Sequence, residues 1–166
     1  MKPKFIQMYM EIAGLIAKQS SAKRLQVGAI VVKDDRIISI GYNGMPAGWD
    51  NVCEEKQWIV GNIPDKYKTD PWIFKEEDSG AVYRMATRPE VIHAEANAIA
   101  KLAKGNESGD GSNMFLTHAP CLDCAKQIYT AGIKMVYYRE SYRDTLGIDF
   151  LEKCGINVVK ISPGEI

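Results

Sequence analysis

Histidine is scarce in this chain, two in 166 residues, and neither sign of charge is in excess: 21 Lys and Arg balance 21 Asp and Glu. That balance argues against a protein that lives on a polynucleotide backbone, which carries a clear positive excess. A single charged nucleotide held by a few local cations remains compatible with it. No apolar run approaches the ~20 residues needed to span a bilayer. The opening "MKPKFIQMYMEIAGLIAKQS" mixes Lys, Gln and Glu into its apolar positions and lacks the core and cleavage site of a secretory signal. The expected compartment is the cytoplasm. The four cysteines, 53, 121, 124 and 154, make a poor disulfide framework in a reducing compartment. The close pair therefore reads as metal-binding or redox-active. Repeats and low-complexity segments are lacking too.

What is present is ordinary for one globular domain over residues 1–166: 46% hydrophobic and 25% charged. Phe5, Met8, Tyr9, Ile12, Leu15 and Ile16 recur at helical spacing. "VGAIVV" (27–32) and "RIISIGY" (36–42) are β-branched runs around "KDD", which predicts a hairpin covered on both faces. From about 45 to 88, prolines, charged clusters and dispersed aromatics (Trp49, Trp58, Trp72, Phe74, Tyr83) form an insert without readable periodicity. A structureless loop of that length is unusual in a compact domain, and the dispersed aromatics suggest that it packs, a neighbouring subunit being one candidate surface. Thr87 and Glu90 match a capping box, with Pro89 in the first turn, and predict a helix running from there through "VIHAEANAIAKLA". Strand (113–118), helix (121–132), strand (133–139), helix (145–155) and strand (156–161) then alternate. The order predicts an α/β fold with a central, partly parallel sheet.

The first rare histidine, His93, stands two residues before Glu95. Alone, the pair reads as a surface histidine beside a solvated glutamate. "APCLDCA" (119–125) changes that. Cys121 and Cys124 are three apart at a helix start, so both sulfurs share one face, where the helix amino terminus favours a thiolate. Such a pair is redox-active, half of a four-ligand structural zinc site, or two ligands of a catalytic zinc. Cys53 and Cys154 are isolated, which weighs against four ligands. The late position in the chain weighs against the redox reading. His93, Cys121 and Cys124 give three ligands and leave a fourth position open, as catalytic zinc requires. Glu95 is then placed to move the proton of a zinc-activated water without binding the metal itself.

His-x-Glu followed by Pro-Cys-x-x-Cys is the signature of the zinc nucleobase deaminases. With "QVGAIVV", "IGYNGMPAG" (40–48), "HAEANAI" and "APCLDCAKQIYTAGIKMVYY", the chain resembles the deoxycytidylate (dCMP) deaminases of that superfamily over nearly its whole length. The resemblance implies a three-layer α/β/α sandwich on a mixed five-stranded sheet. It implies hydrolytic deamination of dCMP to dUMP and ammonia, with Glu95 as base and then acid. It implies one Zn²⁺ per subunit, contacts to the base from Ala94 and Pro120, and a sugar contact from Asn43, whose alternative is a turn residue favouring positive φ. A monophosphate needs donors at the far side of the pocket. Arg24, from "SSAKRLQ", and Tyr138, from "YYRESYR", are the candidates because both segments border strand ends; a solvated face is the alternative. The family further implies homohexamers activated by dCTP and inhibited by dTTP, the effector carrying Mg²⁺ and contacting Gly44, Met45, Gly48 and Asn51. Those glycines otherwise simply build a turn. His118 is expected in a strand-end structural role, and Cys154 as a small buried residue. Another small-molecule zinc deaminase, for deoxycytidine, guanine or a riboflavin precursor, is the enzyme alternative. A non-catalytic zinc-stabilised nucleotide-binding module is the alternative of another class.

Overall fold

The β-branched runs pair as a hairpin because the chain between them reverses in two residues. In a computed structural model, described here for residues 1–162, Asp34 and Asp35 both take positive φ, 49° and 58°. That is the turn whose twist matches flanking strands, and short polar side chains tolerate it best after glycine. It joins β1 (Gly28–Lys33) to β2 (Arg36–Tyr42). The other edge of β1 pairs antiparallel with β6 (Asn113–His118), and β7 (Met135–Glu140) and β8 (Asn157–Lys160) continue in parallel. The five strands form one mixed sheet in the order β2-β1-β6-β7-β8.

Helices cover both faces of that sheet. Alternate residues of β1 point opposite ways. Ile30 and Val32 join Phe115 and Tyr137 against Tyr9, Met10 and Ala13 of α1 (Pro3–Ala17). Ala29 and Val31 join Met114, Leu116 and Val136 on the other face. There they meet Ala94 and Ala98 of α2 (Ala94–Leu102), Ile128 of α3 (Leu122–Thr130) and Leu151 of α4 (Leu146–Lys153). The three-layer α/β/α expectation is met. Full cover of the hairpin is met only by β1. On the edge strand β2, Ile37 and Ile40 are exposed, so that part of the sequence reading is corrected. No helix among the described residues is long and apolar enough to cross a membrane.

The insert has its own sheet. β3 (Glu54–Trp58), β4 (Ile73–Lys75) and β5 (Val82–Thr87) pair antiparallel in the order β3-β5-β4, with a 3-10 turn at Asp65–Tyr67 between β3 and β4. Tyr83 packs against Trp58 and stacks on Phe74. The capping box at Thr87 is overturned: Thr87 stays in β5, paired with Glu54. Ile92 forms a bridge with Gly44, whose N–H donates to its carbonyl (3.1 Å) and whose carbonyl accepts its N–H (2.9 Å). These extended pairings hold the chain out of helix until Ala94, and His93 is the N-cap.

Helix α2 lies unusually close to β2. A Cβ on Gly41 would run into the Ala94 carbonyl and stand 2.6 Å from Ala98 N. Both are backbone atoms that cannot swing away. Ser39 Oγ donates to Ala98 O (2.7 Å) and Asn97 Nδ2 to Tyr42 O (2.9 Å), which ties the helix to the strand. Gly41→Ala should therefore cost about 1–3 kcal/mol through overpacking. Gly14→Ala, inside α1 with only Arg139 Nη1 at 3.7 Å, should gain about 0.5–1 kcal/mol. Urea unfolding of the two variants beside the parent protein checks both signs.

Candidate active site

Two helix starts meet at this end of the sheet. β6 ends at His118, and three residues later Cys121 caps α3, with φ −71° and ψ 168°. His93 caps α2 with φ −69° and ψ 153°. The His93 side chain makes no capping hydrogen bond to its own helix, so it is free to face the two sulfurs. Pro120 is fully buried and backs onto α4, where a Cβ on Gly147 would collide with its carbonyl. That close approach fixes the turn carrying Cys121.

His93 Nδ1 lies 3.4 Å from Cys124 Sγ and 3.6 Å from Cys121 Sγ, and all three ligand atoms fall within 4.8 Å of one another. A tetrahedral zinc with bonds of ~2.3 Å to sulfur and ~2.0 Å to nitrogen separates S and N by about 3.5 Å. The residues present thus fit zinc in both chemistry and spacing, with one coordination position left for a non-protein ligand. Glu95, in the first turn of α2, is only 4% exposed. His93, Ala94, Glu95 and Cys121 line a cavity of about 590 Å³, whose walls also carry Asn43, Arg24, Arg84 and Arg143.

Residues 3–140 match the family model described as the cytidine and deoxycytidylate deaminase zinc-binding region. The chain belongs to the cytidine and deoxycytidylate deaminase family. It is 36% identical over 169 residues to the deoxycytidylate deaminase of Enterobacteria phage T4, covering 92% of this chain and 87% of the phage protein. Against the human deoxycytidylate deaminase, identity is 32% over 84% of this chain and 67% of the human one. A crystal structure of the dCMP deaminase from cyanophage S-TIM5, in complex with dCMP and dUMP, superposes with a TM-score of 0.77 at 42% identity. It covers 97% of this chain and 99% of that one.

The electrostatics of the deaminase site follow from its burial and its hydrogen bonds. Cys121 is pulled down to about 4, first by its hydrogen bond with Cys124 and then by His93. Cys124 is pushed up by the same sulfur and by burial. His93 is raised, chiefly through its hydrogen bond with Cys121, against an opposing effect of burial. Burial raises Glu95 above the usual carboxylate range, where a group that alternately takes and gives a proton belongs. His118 also lines the cavity, where a structural strand-end role was expected. Burial lowers it, and its Nδ1 lies 3.0 Å from Thr117 Oγ1, which accepts the Gly28 N–H.

Of the other residues singled out by sequence, Arg24, Asn43 and Ala94 line the cavity. Asn43 brackets the chain opposite it: Oδ1 accepts Val27 N–H (2.8 Å) and Nδ2 donates to Leu25 O (2.9 Å). Its φ is not positive, which corrects the turn-residue alternative. Pro120 is not on the wall, but Ala119 and Cys121 are. Tyr138 does not line the cavity either. It sits in the interior of β7 between Leu116 and Lys160 and packs against the core. From the same segment, Tyr142 and Arg143 line the wall in its place, because the chain turns towards the cavity only after β7 ends. Gly44, Met45, Gly48 and Asn51 lie off it. Gly44 bridges Ile92, and Met45 packs on Ala22, Cys53 and Val91. Gly48 has φ 88° in open space, and Asn51 is exposed. Cys154 is exposed, against the expectation of a buried residue. Sequence reasoning missed Glu54, Trp72, Arg84 and Arg88, all contributed by the insert.

Metal analysis of the purified protein should find one zinc per chain. Cys124→Ser should retain about a tenth or less of it, since losing a ligand of a three-residue set sacrifices most of the affinity. Glu95→Gln should retain it all.

Proposed function

We propose that this deaminase hydrolyses dCMP to dUMP and ammonia in the cytoplasm. The observation that carries the reading is one cavity joining the His93, Cys121 and Cys124 group and buried Glu95 to a wall bearing Arg24, Arg84 and Arg143. A proton-transfer centre and several guanidinium groups in one chamber suit a pyrimidine carrying a phosphate. The complex of the cyanophage relative with dCMP and dUMP supports it.

Bound zinc would supply the Lewis acidity that makes water nucleophilic near neutral pH. The chain's own residues do the rest. Ala94 and Ala119 hold the pyrimidine against the two helix starts, with Pro120 behind them, and Asn43 holds the sugar. Arg24, with Arg84 and Tyr142, receives the phosphate. Glu95 takes a proton from the attacking water and delivers it to N3. The new C4–O bond forms. Glu95 then carries the second proton to the exocyclic nitrogen, the C4–N bond breaks, and ammonia leaves. Its burial serves both halves, because a carboxylate raised in pKa gives a proton back as readily as it takes one.

The regulatory part of the proposal is a homohexamer in which dCTP with Mg²⁺ activates and dTTP inhibits, through Gly44, Met45, Gly48 and Asn51. Its support is the two-bond bridge from Gly44 to Ile92. A ligand that shifts the Gly44 turn pulls on the residue next to His93.

Loss of the cytosine absorbance should be measured with dCMP, deoxycytidine and dCTP side by side. The expected result is a kcat/KM for dCMP at least about 10²-fold above that for deoxycytidine, the order expected from charge-assisted hydrogen bonds to phosphate. A preference for the unphosphorylated nucleoside contradicts the reading. Glu95→Gln should lower kcat by about 10³-fold or more. Adding dCTP with Mg²⁺ should raise the rate at low dCMP, and dTTP should lower it.

A further inference from the structure

Two guanidinium groups side by side in a partly buried wall repel each other. Arg24 and Arg84 nevertheless stand together, their side chains 19% and 16% exposed. Burial and then the charge of Arg84 lower the pKa of Arg24. What holds the pair is Asp70, in the connection between the 3-10 turn and β4. One oxygen, Oδ2, accepts Arg84 Nε at 2.6 Å and lies 3.7 Å from Arg24 Nη2. The other oxygen accepts the Trp72 N–H at 2.9 Å. The carboxylate is 12% exposed. Burial opposes its charge, but the bonds from Arg84 and Trp72 and the two positive charges outweigh it and hold its pKa below the usual range.

The arrangement has a direction. Arg24 and Arg84 line the cavity, and Asp70 does not, so the acid stands behind the two cations. Arg84 is also clamped over the Tyr67 ring, 4.6 Å from its centroid. With Nε bound to Asp70 and one face covered, its remaining donors are the two terminal nitrogens, which match an oxyanion fork. Arg24 keeps a buried Nε without a hydrogen-bond partner among the described residues. A buried donor left unpaired is costly. The main chain of Arg24 is braced too: Glu54 Oε1 accepts the Lys23 and Arg24 N–H groups at 2.9 and 3.0 Å.

We propose that Asp70 is a positioning residue for the substrate's phosphate. It fixes Arg24 and Arg84 as one anion-binding fork without touching the substrate, and in this way the insert confers the preference for nucleotide over nucleoside. The inference rests on the dCMP reading above. It also makes a prediction opposite to simple charge counting. Removing a negative charge beside an anion site should tighten anion binding if Asp70 were only a counter-charge. If Asp70 positions the arginines, removing it weakens binding.

The test is steady-state kinetics of Asp70→Asn beside the parent enzyme, with dCMP and deoxycytidine. The expected result is a KM for dCMP raised about tenfold or more, with the loss carried by KM rather than kcat, and a matching fall in the dCMP-to-deoxycytidine ratio of kcat/KM. Arg84→Lys, which keeps the charge but loses the Nε bond and the fork, should show the same split. It stands in if Asp70→Asn does not fold. A KM for dCMP that is unchanged or lower in the folded variant overturns the proposal. So does an equal loss on both substrates, which marks a merely structural role. If the parent enzyme itself does not prefer dCMP, the substrate reading has failed. If it does and Asp70→Asn keeps the preference, the failure is confined to Asp70.

Discussion

Two helix amino termini converge on one group of an imidazole and two sulfurs, and the rest of the architecture serves that meeting. Each terminus carries about half a positive charge from its aligned peptides, so bringing two together is unfavourable without negative charge between them. Cys121 supplies it, held as a thiolate by Cys124 and His93. With bound zinc, His93 as a neutral imidazole and Cys121 and Cys124 as thiolates would make a neutral set. The arrangement explains why two of the three ligands, His93 and Cys121, sit on caps and the third, Cys124, in the first turn. A cap residue has extended backbone, and its side chain is free to reach outward from the axis.

The sheet and its glycines set the distance between the two caps. β6 delivers Cys121, and β2 carries α2 so closely that Gly41 has no room for a side chain. Gly147 lets α4 press on Pro120 from behind. Glu95 follows from the same geometry. In the first turn of α2 it is buried beside the cavity, and the burial that costs it solvation raises its proton affinity.

Much of this was legible in the sequence, because it depends on local spacing. Cys121 and Cys124 three apart and His93 two before Glu95 put their side chains where a helix start must put them. Alternating β-branched and amphipathic runs gave the layers. Legibility ended where long-range pairing overrode local signals. Thr87 and Glu90 look like a capping box, yet Thr87 is held in β5 by Glu54, and Ile92 is held extended by Gly44. Tyr138, the sequence's candidate for the phosphate contact, and Tyr142 are four residues apart in one segment. Only the end of β7 decides that Tyr142 reaches the cavity and Tyr138 the core. The insert is the extreme case. Its strands are short and flanked by prolines and charge, and Arg84 gains its meaning from Asp70, Tyr67 and Arg24, none of them adjacent to it in sequence.

The centre and the wall that faces it thus come from different parts of the chain: two helix starts for the centre, and Arg84 of the insert together with Arg24 and Arg143 for the wall. The centre is the claim on which the account stands. Zinc-edge X-ray absorption of the purified protein tests it most directly. The account predicts two sulfur scatterers at ~2.3 Å and one imidazole nitrogen at ~2.0 Å, with a single further light atom in the fourth position. A shell of four sulfurs, or one of oxygen atoms without sulfur, would contradict it.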